Sequence, residues 1–201
     1  MSPSHSHVHT SSKKIALVGS HGTGKTTLTK RLAARVDPPI ANLRIATTPE
    51  VPRIVCSAVG NAEYFRRGNN SLLKQLLLLI GQPIYEISEG RDCDILICDR
   101  SILDHWAYTK ALFASDIPAD IEKVLCSLIR KHLDSYDLLA YVPIEFAVHD
   151  DGTREGDVAF QAAIDTEIHA FLGAWGVPFV ELRGSVEQRS ASLVQHILSL
   201  P

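Results

Sequence analysis

Five short apolar runs recur along the chain: Ile15–Val18, Leu43–Thr47, Asp94–Cys98, Leu138–Val142 and Pro178–Leu182. None alternates apolar with polar residues. Each therefore predicts a strand covered on both faces, the pattern of a parallel sheet between helix layers. Between the runs, apolar residues fall at helical spacing, as at Leu28, Leu32 and Val36. That spacing predicts helices over roughly 24–36, 51–59, 70–89, 103–114, 118–134, 157–175 and 185–199. There is no internal repeat and no linker to split the chain. The alternation predicts an α/β fold, a doubly wound five-stranded parallel sheet with helices on both faces, in one domain over 13–201. Residues 1–12 are polar, cannot build a core, and predict a disordered tail. In such sheets ligands bind beyond the carboxyl ends of the strands, so chemistry is sought there.

The first strand runs into Gly19-Ser20-His21-Gly22-Thr23-Gly24-Lys25-Thr26 and then a helix. Glycine, four variable residues, glycine, lysine and Ser/Thr between a strand and a helix is the phosphate-cradling pattern. Successive backbone N–H groups surround an anion there, with the positive end of the helix dipole behind them. Lys25 is expected to reach the β- and γ-phosphates, and the Thr26 hydroxyl to ligate Mg²⁺. Gly19, Gly22 and Gly24 let the backbone approach closely, and His21, Thr23 and Thr27 are expected to line the nucleotide. The chain is read as binding a nucleoside triphosphate.

Composition narrows the partners. With 20 basic and 23 acidic residues the net charge is −3, which gives no electrostatic case for nucleic acid or an anionic membrane. The four cysteines (Cys56, Cys93, Cys98, Cys126) form no CxxC pair. Cys98 sits inside an apolar strand and is expected to be buried and reduced, which points to a cytoplasmic location. No segment approaches the ~20 apolar residues that span a bilayer, and the N-terminus lacks a secretory signal.

The third strand ends in Asp99-Arg100-Ser101. Asp99 is the natural acidic partner of Mg²⁺, and Arg100 is placed to neutralise charge on a transferring phosphoryl group. A helix cap is the competing reading of Asp99, and a surface ion pair that of Arg100. The second strand ends in Pro49-Glu50-Val51-Pro52-Arg53. Glu50 would lie across the γ-phosphate from the glycine loop, where a carboxylate can take a proton from an attacking hydroxyl. Arg53 would bind substrate or pair with Glu50. A carboxylate at a helix start is the competing reading of Glu50. Gln75, Gln82 and Glu86 share one face of the third helix.

Taken together, the glycine loop, the Glu-containing turn and Asp-Arg-Ser resemble the deoxyribonucleoside kinases and the related ribosylnicotinamide kinase-like (AAA-type) ATPase domains. The resemblance spans most of residues 13–190 and implies a P-loop NTPase, nucleoside/nucleotide kinase-like fold. It implies Glu50 as base and Asp99-Arg100-Ser101 as the group serving metal and phosphates. It further implies Gln75 or Gln82 on the substrate base, Arg154 as a lid arginine, and Arg183 stacking on the nucleotide base. The order Pro49-Glu50, with Pro52-Arg53 following, is nearer the ribosylnicotinamide kinase-like pattern. Only one lid arginine is available, which shifts work to Arg100.

The functions that follow are an ATP- and Mg²⁺-dependent small-molecule kinase acting on a hydroxyl, an ATPase or regulatory module without an acceptor, and a nucleoside monophosphate kinase. Arg53, Arg66, Arg67 and Arg91 are candidates for an acceptor phosphate in the last. No Asn-Lys-x-Asp motif favours guanine. Expected partners are the nucleotide and a small-molecule acceptor; a homodimer is compatible with the sequence.

Overall fold

A computed structural model describes residues 12–34, 40, 42–61, 63–65, 69–145 and 158–201. Five strands, β1 (Lys13–Val18), β2 (Ile45–Thr47), β3 (Ile95–Asp99), β4 (Leu138–Tyr141) and β5 (Val180–Glu181), form one sheet in the order β2-β3-β1-β4-β5. Every pairing is parallel, with Leu17 opposite Asp99, Thr47 opposite Ile97 and Tyr141 opposite Glu181. The helices are α1 (Lys25–Ala33), α2 (Val51–Ala58), α3 (Leu72–Glu89), α4 (Ile102–Phe113), α5 (Ala119–Leu133), α6 (Val158–Trp175) and α7 (Val186–Leu198). The predicted doubly wound architecture is the one observed.

Alternate residues of the central strands feed two cores. Ala16, Val18, Leu96, Cys98 and Tyr141 pack with Trp106, Leu103, Ile164 and Ile168 on one face. Ile15, Leu17, Ile95 and Ile97 pack with Leu28, Leu32, Leu193 and Val194 on the other. This is why the strands read as continuous apolar runs. Four cysteines are free, and Cys98 is buried as expected.

The boundaries move where side chains cap the helices. Ser71 accepts from Lys74 N, so α3 starts at Leu72 and not at 70. Ser101 and Asp104 form a reciprocal capping box, which starts α4 at Ile102. β2 and β5 are shorter than their apolar runs because only part of each run finds a ladder partner. Apart from Ser12, the predicted disordered tail lies outside the described residues, as do Arg154 of the predicted lid and the acceptor-phosphate candidates Arg66 and Arg67. Among the described residues no helix is long and apolar enough to cross a membrane.

A buried carboxylate ties the inner face of α3 to the sheet and to the end of α5. Lys14 Nζ donates to Glu86 at 3.0 Å, Tyr136 Oη at 2.6 Å and Gln82 Nε2 at 3.0 Å, and His132 Nε2 lies 2.8 Å away. Burial alone would raise the Glu86 pKa, but His132, Tyr136 and Lys14 outweigh it and hold the group at about 2. His105, also buried, is pushed down to about 3 by desolvation and by Arg100.

Both groups titrate below their ordinary values, so between its folded and ordinary pKa each is more protonated in the unfolded chain. Unfolding free energy then rises with pH. Stability is expected to fall as pH drops below the ordinary histidine value of 6.5, and more steeply below 4.5, the carboxylate value. Holding Glu86 at about 2 instead of 4.5 contributes about 3 kcal/mol, which is lost as pH falls toward that lower value. Urea midpoints at stepped pH measure this, and Glu86→Gln should flatten the limb below 4.5. A midpoint that rises on acidification would contradict it.

Candidate active site

The carboxyl ends of β1, β2 and β3 converge on one loop. At Gly19, where φ is 155°, an added Cβ would meet the Val142 carbonyl oxygen at 2.5 Å, so only glycine lets β1 turn beside β4. Gly24 caps α1 with φ 94°, a left-handed conformation that side chains disfavour. The turn is fixed from several directions. Gly19 N donates to the buried Asp104 Oδ1 at 3.0 Å, His21 N donates to Tyr108 Oη at 3.1 Å, and Gln161 Nε2 donates to the His21 carbonyl at 2.7 Å. His21 Nδ1 also lies 2.8 Å from Tyr108 Oη.

Lys25 is buried and curls under the loop, donating to the Gly19 carbonyl at 2.6 Å and the Ser20 carbonyl at 2.5 Å. Thr23 Oγ1 donates to the Ser20 carbonyl at 3.1 Å. The result is a turn held from several sides with a cation at its base. Thr26 is half-buried, whereas Thr27 is exposed on the first turn of α1.

Asp99 ends β3 beside this loop, its N–H donating to Thr48 Oγ1 at 3.0 Å. Its side chain hydrogen-bonds Thr26, bringing the two predicted magnesium ligands together. Burial raises the Asp99 pKa, while Thr26, Arg100 and Lys25 pull it back down. The helix cap is Ser101, two residues further on, so Asp99 has no capping duty. Among the described residues no group of three or more acidic, histidine or cysteine side chains gathers to hold a metal. Magnesium needs none: it keeps waters and takes one or two protein oxygens plus substrate phosphates.

Arg100 has φ 92°, the one positive value among the described non-glycine residues. That backbone turns its guanidinium back toward the site, where NH2 donates to Glu50 Oε1 at 3.1 Å and Cζ stands 5.6 Å from the Tyr108 ring centre. Desolvation opposes its charge, but Glu50, Tyr108, Asp104 and Asp99 outweigh that and leave its pKa raised. The surface-pair reading of Arg100 does not hold, since its side chain is 8% exposed. Its Nε and the Ser20 Oγ are buried without a hydrogen-bond partner. Orphaned polar atoms beside a phosphate-shaped turn fit an absent anion.

Glu50 is the N-cap residue of α2, but its side chain makes no capping hydrogen bond. Its carboxylate instead takes Arg53 Nε at 2.6 Å on one oxygen and Arg100 on the other, with 8% of the side chain exposed. The inner face of α3 divides. Gln82 is wholly buried, donating to Glu86 and to the Arg100 carbonyl at 3.1 Å, with His105 Nε2 3.3 Å from its oxygen. In this structure Gln82 acts as a strut behind Arg100. Gln75, 2% exposed, keeps Oε1 unpartnered.

Arg183 is exposed and pairs with Glu181 at 2.7 Å and Glu145 at 3.5 Å. Sequence reasoning misses Arg189. It is 1% exposed and donates to the Thr23 carbonyl at 2.8 Å, the Gly184 carbonyl at 2.9 Å and Glu145 at 2.5 Å. It thereby pins the glycine loop to the loop after β5. Arg189→Met leaves those acceptors unanswered and is expected to cost about 2–3 kcal/mol. Differential scanning calorimetry reads this as a lowered midpoint, and an unchanged midpoint would contradict the role.

A strand–glycine loop–helix that opens a parallel sheet, with an acid at the end of the neighbouring strand, defines a P-loop nucleotide-binding fold. The AAA domain family matches residues 14–189, and the chain belongs to it. No curated protein matches the chain. Among solved structures, NadR protein in complex with NAD and AMP-PNP superposes with TM-score 0.69 at 19% identity, covering 94% of this chain and 49% of that one. The chain therefore spans about half the length of NadR. Deoxyadenosine kinase from M. mycoides superposes at 0.63 with 14% identity, over 94% of this chain and all of the other (100%). Thymidylate kinase from Ehrlichia chaffeensis superposes at 0.61 with 17% identity, over 93% and 99%. The fold is kinase-like, as the resemblance implied.

Proposed function

We propose that the chain is an ATP- and Mg²⁺-dependent kinase that transfers the γ-phosphoryl group to a hydroxyl of a nucleoside-like small molecule. The observation that carries this reading is Glu50, a sheltered carboxylate after β2 that two arginines hold, one of them Arg100 at the end of the neighbouring strand. Lys25 and the loop N–H groups would hold the triphosphate. Thr26 and Asp99 would hold Mg²⁺, which neutralises phosphate charge when bound. Arg100, with its unpartnered Nε, is positioned to meet charge on the phosphoryl group. Glu50 would accept the proton of the acceptor hydroxyl. Gln75, with its unpartnered oxygen, and Arg53 would contact the acceptor, while Arg183 and Arg154 would serve the nucleotide base and the phosphates. The ligands and names of the structural neighbours, NAD and NR for NadR and deoxyadenosine for the mycoplasma kinase, support a nucleoside-like acceptor.

The test is ADP release from ATP with and without a panel of ribosylnicotinamide, deoxyribonucleosides and nucleoside monophosphates. Stimulation of at least ~10-fold by a nucleoside-class acceptor is expected. Hydrolysis indifferent to every acceptor would replace the kinase reading by an ATPase module.

A further inference from the structure

Arg100 keeps a backbone conformation that side chains disfavour, with φ 92°, and two hydrogen bonds grip the chain where it leaves that residue. The Arg100 carbonyl accepts from Gln82 Nε2 at 3.1 Å. Two residues on, Ile102 N donates to Tyr136 Oη at 3.3 Å. Both gripping side chains converge on one carboxylate. Glu86 Oε1 accepts from Gln82 Nε2 at 3.0 Å and from Tyr136 Oη at 2.6 Å. Its other oxygen takes Lys14 Nζ at 3.0 Å and lies 2.8 Å from His132 Nε2.

We infer that Glu86 is a positioning residue for Arg100: it fixes which end of the Gln82 amide faces the Arg100 carbonyl, and so the turn that aims the guanidinium at Glu50. The inference rests on the role proposed for Arg100 above. The reasoning is donor against acceptor. A backbone carbonyl and an ionised carboxylate both only accept, so the end of Gln82 that meets the two must be its NH2 group, one hydrogen for each. The amide oxygen then faces His105 Nε2 at 3.3 Å, which carries the ring proton. Lys14, His132 and Tyr136 keep Glu86 ionised and therefore an acceptor only. An amide in place of that carboxylate would reverse the arrangement. Lys14, a donor only, would claim the one remaining oxygen, and the new NH2 group would face Gln82. Gln82 could answer it only by turning its own oxygen inward, against the Arg100 carbonyl. Gln82 and Glu86 are both buried, which leaves little room for water to replace the lost donor.

Steady-state ADP release on the full chain tests it. Glu86→Gln and Gln82→Met are each expected to lower kcat ~10- to 100-fold while KM for ATP stays within about 3-fold. The double variant should match Gln82→Met within about 2-fold, because the two residues act in series. Lys14→Met added to Glu86→Gln lets the new amide turn its oxygen back to Gln82, and should recover at least ~5-fold of the loss. In an Arg100→Ala background Glu86→Gln should change kcat less than about 2-fold. Losses that multiply in the double variant, or a kcat that Glu86→Gln leaves unchanged, would overturn the inference and make Glu86 a stability element alone. The carbonyl carbon resonance of Arg100, read by NMR, needs no turnover and should move in both single variants. Gln82→Met keeps Glu86 and its ion pairs, and carries this reading even if Glu86→Gln does not fold. An Arg100 resonance unmoved there would overturn the inference. A wild type that turns over no ATP would contradict the kinase reading instead, and the resonance would still decide what positions Arg100.

Discussion

Lys25→Ala is expected to abolish nucleotide turnover, by a factor of at least ~10³, or about 4 kcal/mol of transition-state stabilisation. Two losses combine in this one change. The cation proposed to meet the β- and γ-phosphates disappears. The Gly19 and Ser20 carbonyls, held by Nζ at 2.6 and 2.5 Å, also lose the donor that fixes the loop. Steady-state turnover with saturating ATP reads the effect, and the thermal midpoint separates it from unfolding. Lys25→Arg should recover the charge but not the fit, because a guanidinium is too large for the space under the loop. Turnover within a few-fold of wild type in Lys25→Ala would remove the loop from the chemistry.

Glu50→Gln is expected to slow transfer ~10²- to 10⁴-fold, the share a positioned general base supplies, while ATP affinity changes only a few-fold. The substitution keeps the shape and one acceptor oxygen, so Arg100 and Arg53 retain partners, but the group can no longer take a proton. The split between transfer and binding is the informative result. If both fell together, Glu50 would be a strut that holds Arg100 in place, since the two are 3.1 Å apart in a nearly closed pocket. A modest drop in thermal midpoint, of the size expected for weakening a sheltered ion pair, fits either role and does not decide between them.

What could be read from the sequence was whatever depends on local pattern. The apolar runs located all five strands because the central strands of a parallel sheet bury both faces, and β2 and β5 continue the pattern at its edges. Glycine spacing located the phosphate loop because Gly19, Gly22 and Gly24 all take positive φ, and at Gly19 a side chain would also clash with the Val142 carbonyl. Asp99, Arg100 and Glu50 were legible as polar residues at the carboxyl ends of strands.

What was not legible depends on contacts between distant segments. Arg189 lies in an amphipathic helix 166 residues from Thr23, and in sequence it looks like any solvated arginine. Asp104 did carry a local signal, Ser101-x-x-Asp104, but nothing in that capping box announces that its second oxygen holds Gly19 N–H. Gln75 and Gln82 are alike by periodicity. Only the surroundings show that one is consumed by Glu86, Arg100 and His105 while the other keeps a free oxygen.

Isothermal titration calorimetry with ATP and magnesium, on the wild type beside Lys25→Ala, tests the central claim most directly. One nucleotide per chain, bound by the wild type and released by the loss of Lys25, is the result this structure requires. No measurable heat with either ATP or GTP in the presence of magnesium would contradict it.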